Sequence, residues 1–204
     1  MATGTPSGYY VPDPPIAKTL FEDTRLSWLW LLARLYVGYS CLTAGLGKLG
    51  NPAWTDTGQA LRGFWQAAVA VPEGGKPPIT FDWYREFLVG LLNGGHYVWF
   101  AKLIVVGELL LGLALVLGAF VGIAAFSGAF MNWNFMMAGT ASISPVLFTL
   151  SIFLILAWKT AGWLGLDRFL LPLLGTPWYR GRALAPETAP AEPVRVEDPR
   201  GGAV

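Results

Sequence analysis

Two apolar runs dominate the chain, Leu26 to Leu49 and Phe100 to Trp158, and the longer one carries charge only at Lys102 and Glu108. The hydrocarbon core of a bilayer takes roughly 20 residues of helix, so the longer run has room for three spans. Breaks fall at Gly118-Ala119-Phe120 and between Gly139 and Pro145. An amphipathic helix of a soluble core shows polar residues every third or fourth position, and this run does not. The pattern predicts an all-α membrane protein, a four-transmembrane-helix bundle with spans at about 27–48, 97–118, 120–138 and 145–162.

Residues 50–98, between the first two spans, alternate differently. Thr57 to Val71 places Leu61, Phe64, Trp65 and Ala68 at helical spacing, and the stretch from Pro72 to Pro78 breaks the chain. Phe81 to Leu92 is a second amphipathic segment, ended by Asn93-Gly94-Gly95. Both are too short and too charged to span. They are expected as short interfacial helices capping one side of the bundle. Residues 1–25 contain four prolines and two glycines, the composition of a flexible N-terminal tail or a surface arm. Residues 26–182 then form the membrane domain, and residues 183–204, rich in Pro, Glu and Ala, a disordered C-terminal tail.

Composition narrows the chemistry. Apolar residues make up 54% of the 204 and charged ones 13%, about half the charged share usual in soluble domains. The net charge of +1 says nothing about nucleic acid, but no basic cluster appears outside the tails, and no nucleic-acid partner is expected. Cys41 is the only cysteine, so this chain alone builds no disulfide, CxxC redox couple or thiolate metal site. No phosphate loop, dinucleotide fingerprint, zincin motif or nucleophile elbow is present, and no metal or flavin site is evident. Four spans put both termini on one side, and the basic residues flanking the spans slightly favour that side as cytoplasmic.

The candidate site lies among the polar residues inside the spans. Arg34, Gly38, Cys41, Gly45 and Lys48 follow one another at four, three, four and three residues and so share one helix face. On one reading Arg34 snorkels to the headgroups and the glycines pack helices. On the other, this face lines a polar cavity. Counted inward from a boundary near Lys48 and Tyr97 at about 1.5 Å per residue, Arg34 lies about 20 Å deep and Glu108 about 15 Å; counted back from the outer end of the third span, Asn132 lies about 9 Å deep. An unpaired charge at mid-bilayer costs about 3 kcal/mol, which makes Arg34 and Glu108 natural partners. A protonated, hydrogen-bonded Glu108 needs no partner. His96, the only histidine, reads as an interfacial polar residue or, less simply, as a ligand or proton relay.

Four segments carry a family resemblance: Arg34-x3-Gly38, Ala44-Gly-Leu-Gly-Lys48, Gly107-Glu108-x3-Gly112, and Ala161-Gly-Trp-Leu-Gly-Leu-Asp-Arg168. Their order and spacing resemble the DoxX/DoxD family of small membrane proteins over most of residues 27–172. The resemblance implies a four-helix protein of a bacterial or archaeal plasma membrane. Its DoxD branch is similar to the membrane subunit of a thiosulfate:quinone oxidoreductase, which works with a separate DoxA subunit. That implies quinone as co-substrate, electrons from thiosulfate or a related sulfur compound, and a DoxA-like or other partner beside membrane lipid; a homo-oligomer is also compatible. Under the oxidoreductase reading Glu108 is the proton donor and Arg34 or Lys48 the positive charge favouring the reduced anion, with Asn132 or Trp133 holding the ring. The alternatives are a non-enzymatic DoxX-like subunit that scaffolds a partner complex, and a transporter built around Glu108.

Overall fold

The computed structural model describes residues 13–176 and 179–180. Residues 1–12 and the expected disordered tail, 183–204, lie outside the described residues. The described chain is almost entirely helical. It forms α1 (Pro15–Glu22), a 3-10 turn (Thr24–Leu26), α2 (Ser27–Leu49), α3 (Pro52–Thr55), α4 (Gln59–Val69), α5 (Asp82–Asn93), α6 (Tyr97–Leu117), α7 (Val121–Met137), α8 (Ser144–Leu156), α9 (Trp158–Ala161) and α10 (Asp167–Leu174). A separate unit begins at Phe169, and in it β1 (Gly175–Thr176) pairs antiparallel with β2 (Tyr179–Arg180).

Two helices, Thr24–Leu49 and Tyr97–Leu117, are long and apolar enough to cross a membrane, and only 33% and 28% of their most apolar windows is buried inside the protein. The expected third and fourth spans correspond to shorter helices, 17 residues in α7 and 13 in α8. Helix α8 ends at Ala157 and resumes as α9, so the fourth segment is interrupted rather than continuous.

Helices α2 and α6 cross antiparallel at very short range. Gly38 lies against Leu115 and the Gly112 carbonyl, and Gly45 against Leu109. A Cβ on Gly112 would come within 2.6 Å of the Leu42 backbone nitrogen, so this contact admits glycine alone. Helices α7 and α8 form the other half, with Gly128 facing Ser151 and Gly122 facing Trp158. Between the two pairs lies a core of Trp30, Val37, Leu115, Ala125, Leu147 and Leu154. A second core sits at the other end, where Leu61, Trp65 and Ala68 of α4 meet Tyr84 and Leu88 of α5, Ala101 of α6 and Ala138.

Of the two expectations for the N-terminal segment, a flexible tail or a surface arm, the described residues 13–25 take the form of an arm packed on the helices. Phe21 stacks on Trp30 with ring centroids 5.6 Å apart, and the Trp30 indole N–H donates to the Leu20 carbonyl at 2.9 Å. The Thr160 hydroxyl donates to the Phe21 carbonyl at 2.9 Å, so α1 is fastened to both α2 and α9. Proline at the head of α1 starts the helix without needing an N–H partner. The aromatic pair supplies the burial that the tail's composition did not advertise.

Candidate functional site

Glu108 is buried, 4% exposed, and its partner is Lys48: the ammonium donates to both carboxylate oxygens at 2.7 Å. The Lys48 ammonium also lies 5.2 Å from the Trp54 ring centroid, so α3 closes the outer side of the pair. Arg34 does not take part, which corrects the expected Arg34–Glu108 pairing. The antiparallel register explains it. Fourteen residues separate Arg34 from Lys48, about 21 Å of helix, so Arg34 sits near the far end of α6. Lys48 is not level with Tyr97 as the depth count assumed. Helix α2 stops beside the middle of α6, and α3 continues along it until Gly58 packs on the backbone of Tyr97 and Val98.

Arg34, 1% exposed, is held at the other end of the bundle by loops. Its Nη2 donates to the Leu164 carbonyl at 3.1 Å, while its Nε and Nη1 have no hydrogen-bond partner among the described residues. The guanidinium packs against Gly118 and Gly165; a Cβ on Gly118 would overlap it. Beside it, the Asp167 carboxylate accepts the N–H groups of Phe120 at 2.6 Å and Val121 at 2.8 Å, capping the N-terminus of α7 from 46 residues away. Burial pushes the Asp167 carboxyl above its ordinary value, against the two N–H groups and the Arg34 charge that pull it down. Phe120 itself is left-handed, with φ of 49°, a conformation a non-glycine residue tolerates here because its N–H is anchored.

Asn132 and Trp133 have partners of their own. Asn132 is buried on α7 and donates to the Gly128 carbonyl at 2.9 Å, with no bond to Glu108 or Lys48. Trp133 stacks on Phe130 and meets the edge of Tyr84. Among the described residues no hydrogen bond or ring contact joins Asn132 or Trp133 to Glu108, Lys48 or Arg34.

What the sequence did not single out is a cavity of about 490 Å³ between the cap helices α4 and α5 and the facing sides of α6 and α7. Among the described residues no charged side chain lines it, and none of Arg34, Lys48, Glu108, Asn132 or Trp133 does. Leu103, Leu110 and Phe130 line it while remaining more than half exposed, so it opens sideways between α6 and α7. Its polar side chains are Trp65, Tyr84, Ser127 and Asn134. The Tyr84 hydroxyl lies 3.1 Å from both the backbone oxygen and Oδ1 of Asn134, and burial holds its acidity below that of an ordinary tyrosine.

Helix α6 separates the two regions: Gly107 faces the cavity while Glu108, turned about 100° round the helix, faces α2. The same geometry divides the Asn132-Trp133-Asn134 run. Asn132 and Asn134 are about 200° apart, so only Asn134 reaches the cavity. A signal for it was available, since Ser127, Met131, Asn134 and Ala138 recur at helical spacing.

No known protein family, curated protein or solved structure matches this chain. Among the described residues no group of His, Cys, Asp and Glu is arranged to hold a metal ion.

Proposed function

We propose that the chain is a multi-pass integral membrane protein of DoxX/DoxD type that takes a membrane quinone into the cavity under its cap. The cavity carries this reading. Its volume falls within the roughly 300–1,000 Å³ usual for small-molecule sites. Its wall is apolar and aromatic, and its mouth is flanked by apolar side chains. Leu103, Val106, Leu110 and Leu113 on the outer side of α6 are between 48% and 62% exposed, a stripe that water would penalise and lipid would cover. A quinone ring has acceptor oxygens and no charge, which suits a lining with a few hydrogen-bonding groups and no ion.

In this reading four segments cross the plasma membrane, α3 to α5 form the outer cap, and both termini are cytoplasmic. Electrons come from thiosulfate or a related sulfur compound through a DoxA-like or other partner subunit. Quinone reduction consumes protons, and Tyr84, held neutral by burial, is the titratable group lining the cavity. Glu108 is assigned to the Lys48 pair instead of to proton delivery.

One observation favours the second reading, a non-enzymatic subunit that scaffolds a partner complex. The residues expected to be catalytic are engaged in packing: Glu108 with Lys48, Arg34 with the loops around Gly118 and Gly165. Purified protein in nanodiscs, with and without the native membrane fraction, separates the two. Thiosulfate-dependent reduction of a quinone analogue together with saturable quinone binding supports the first reading. Absence of quinone binding overturns it. Reporter fusions after Gly175 and within Pro72–Pro78 should report opposite sides of the membrane.

A further inference from the structure

We infer that Trp65 and Ser127 are the hydrogen-bond donors that receive the ligand's acceptor oxygens in the cavity, and so select a neutral ring bearing carbonyl groups. The inference rests on the quinone reading and specifies it.

The four polar side chains of the cavity are not equivalent. Tyr84 and Asn134 satisfy each other, and the Asn134 amide N–H donates to the Phe130 carbonyl at 2.8 Å. Trp65 and Ser127 have no hydrogen-bond partner among the described residues. Trp30 and Trp65 are both 5% exposed; the Trp30 indole N–H donates at 2.9 Å, whereas that of Trp65 has no such partner among the described residues. Ser40, Thr43 and Thr149 return their hydroxyls to the carbonyl four residues back at 2.8 to 2.9 Å, as helical Ser and Thr commonly do. Ser127 on α7 does not, and neither does the buried Ser151 of α8, but of the two only Ser127 lines the cavity.

These two groups stand on different walls, one on the cap helix α4 and one on α7. An indole N–H only donates, and a serine hydroxyl donates readily, so they complement acceptor oxygens. Among the described residues the lining offers no cation for a carboxylate or phosphate head and no carboxylate for an amine. An apolar ring with carbonyl groups fits this set, and a plain hydrocarbon would leave both donors dry.

The test uses the full chain in nanodiscs, with decyl-benzoquinone as probe and decylbenzene as its oxygen-free match. Trp65→Phe keeps the ring that meets Phe100 edge-on at 5.5 Å, and Ser127→Ala keeps the helix. Each substitution should weaken decyl-benzoquinone binding by about three- to tenfold, the effect of one neutral hydrogen bond, and leave decylbenzene binding unchanged. The carbonyl infrared band of isotope-labelled probe should shift on binding to the wild type, and shift less in each variant. Variants that bind the quinone as the wild type does overturn the inference and leave the quinone reading standing. Equal loss of both probes also overturns it, because it assigns the two residues to packing. A wild type that binds no quinone removes both.

Discussion

Lys48 reaches across the α2–α6 crossing to place its ammonium 2.7 Å from each oxygen of Glu108. Neither group is solvated enough to stand alone: the side chains are 19% and 6% exposed. Removing one partner strands the other, at a cost of about 3 kcal/mol, the lower end for a buried pair because Lys48 keeps some exposure. Glu108→Gln and Lys48→Met should each lower stability by that order, and the double variant by far less than the sum. Arg34→Gln combined with Glu108→Gln should instead be additive within about 0.5 kcal/mol, since the sites are remote. Equilibrium unfolding in mixed micelles measures both cycles; strong Arg34–Glu108 coupling would refute the register described here.

The helical segments were legible in the sequence because apolar length and turn chemistry are local. Tyr97–Leu117, Gln59–Val69 and Asp82–Asn93 lie within two residues of stretches bounded by Gly118, Pro72 and Asn93. The partner of Glu108 was not, because depth counting assumes that α2 and α6 reach the same boundary. Four residues, Pro52–Thr55, folding into α3 after Asn51 caps it are enough to shift that level. Asp167 shows the same limit: its carboxylate serves N–H groups of a distant turn, and no spacing announces a cap supplied through space. The cavity was partly written in the repeat of Leu61, Trp65 and Ala68, but its other wall depends on which side of α7 faces inward.

Asp167 carries three connections at once, to Phe120, to Val121 and to the field of Arg34. Asp167→Ala should cost about 2–4 kcal/mol, the loss of two charge-assisted hydrogen bonds at a helix start. Asp167→Asn keeps one acceptor and should cost less. Hydrogen exchange should show the extra opening first at Phe120 to Ala124, the opening turn of α7. Uniform loosening of the whole bundle would argue against a capping role.

The glycines of the bundle should divide sharply. A Cβ at Gly112 meets Leu42 backbone atoms at 2.6 to 2.8 Å, which no side-chain rotation relieves. Gly112→Ala should push α2 and α6 apart and cost about 1–3 kcal/mol. Gly47 and Gly63, also helical, have nothing within 4 Å of an added Cβ. Alanine there should stabilise by about 0.5–1 kcal/mol, through the smaller conformational freedom of the unfolded chain. Thermal unfolding of the three variants side by side gives the signs.

Tyr84 couples the cap to the cavity, and its protonation makes that coupling depend on pH. Burial raises its pKa above the ordinary value of 10.0, so the folded protein holds the phenol proton where the unfolded chain has released it. The unfolded state then binds fewer protons, and stability falls as pH rises. The contribution of Tyr84 is therefore complete below pH 10.0 and is lost as pH climbs through the raised folded value. Tyr84→Phe removes the hydroxyl and its contact with Asn134, costing about 1 kcal/mol at neutral pH. The same substitution should flatten the alkaline limb of the stability curve. Unfolding midpoints between neutral and strongly alkaline pH, compared for the two proteins, check both statements. A wild type and variant that lose stability in parallel above pH 10.0 would place the alkaline sensitivity on another group.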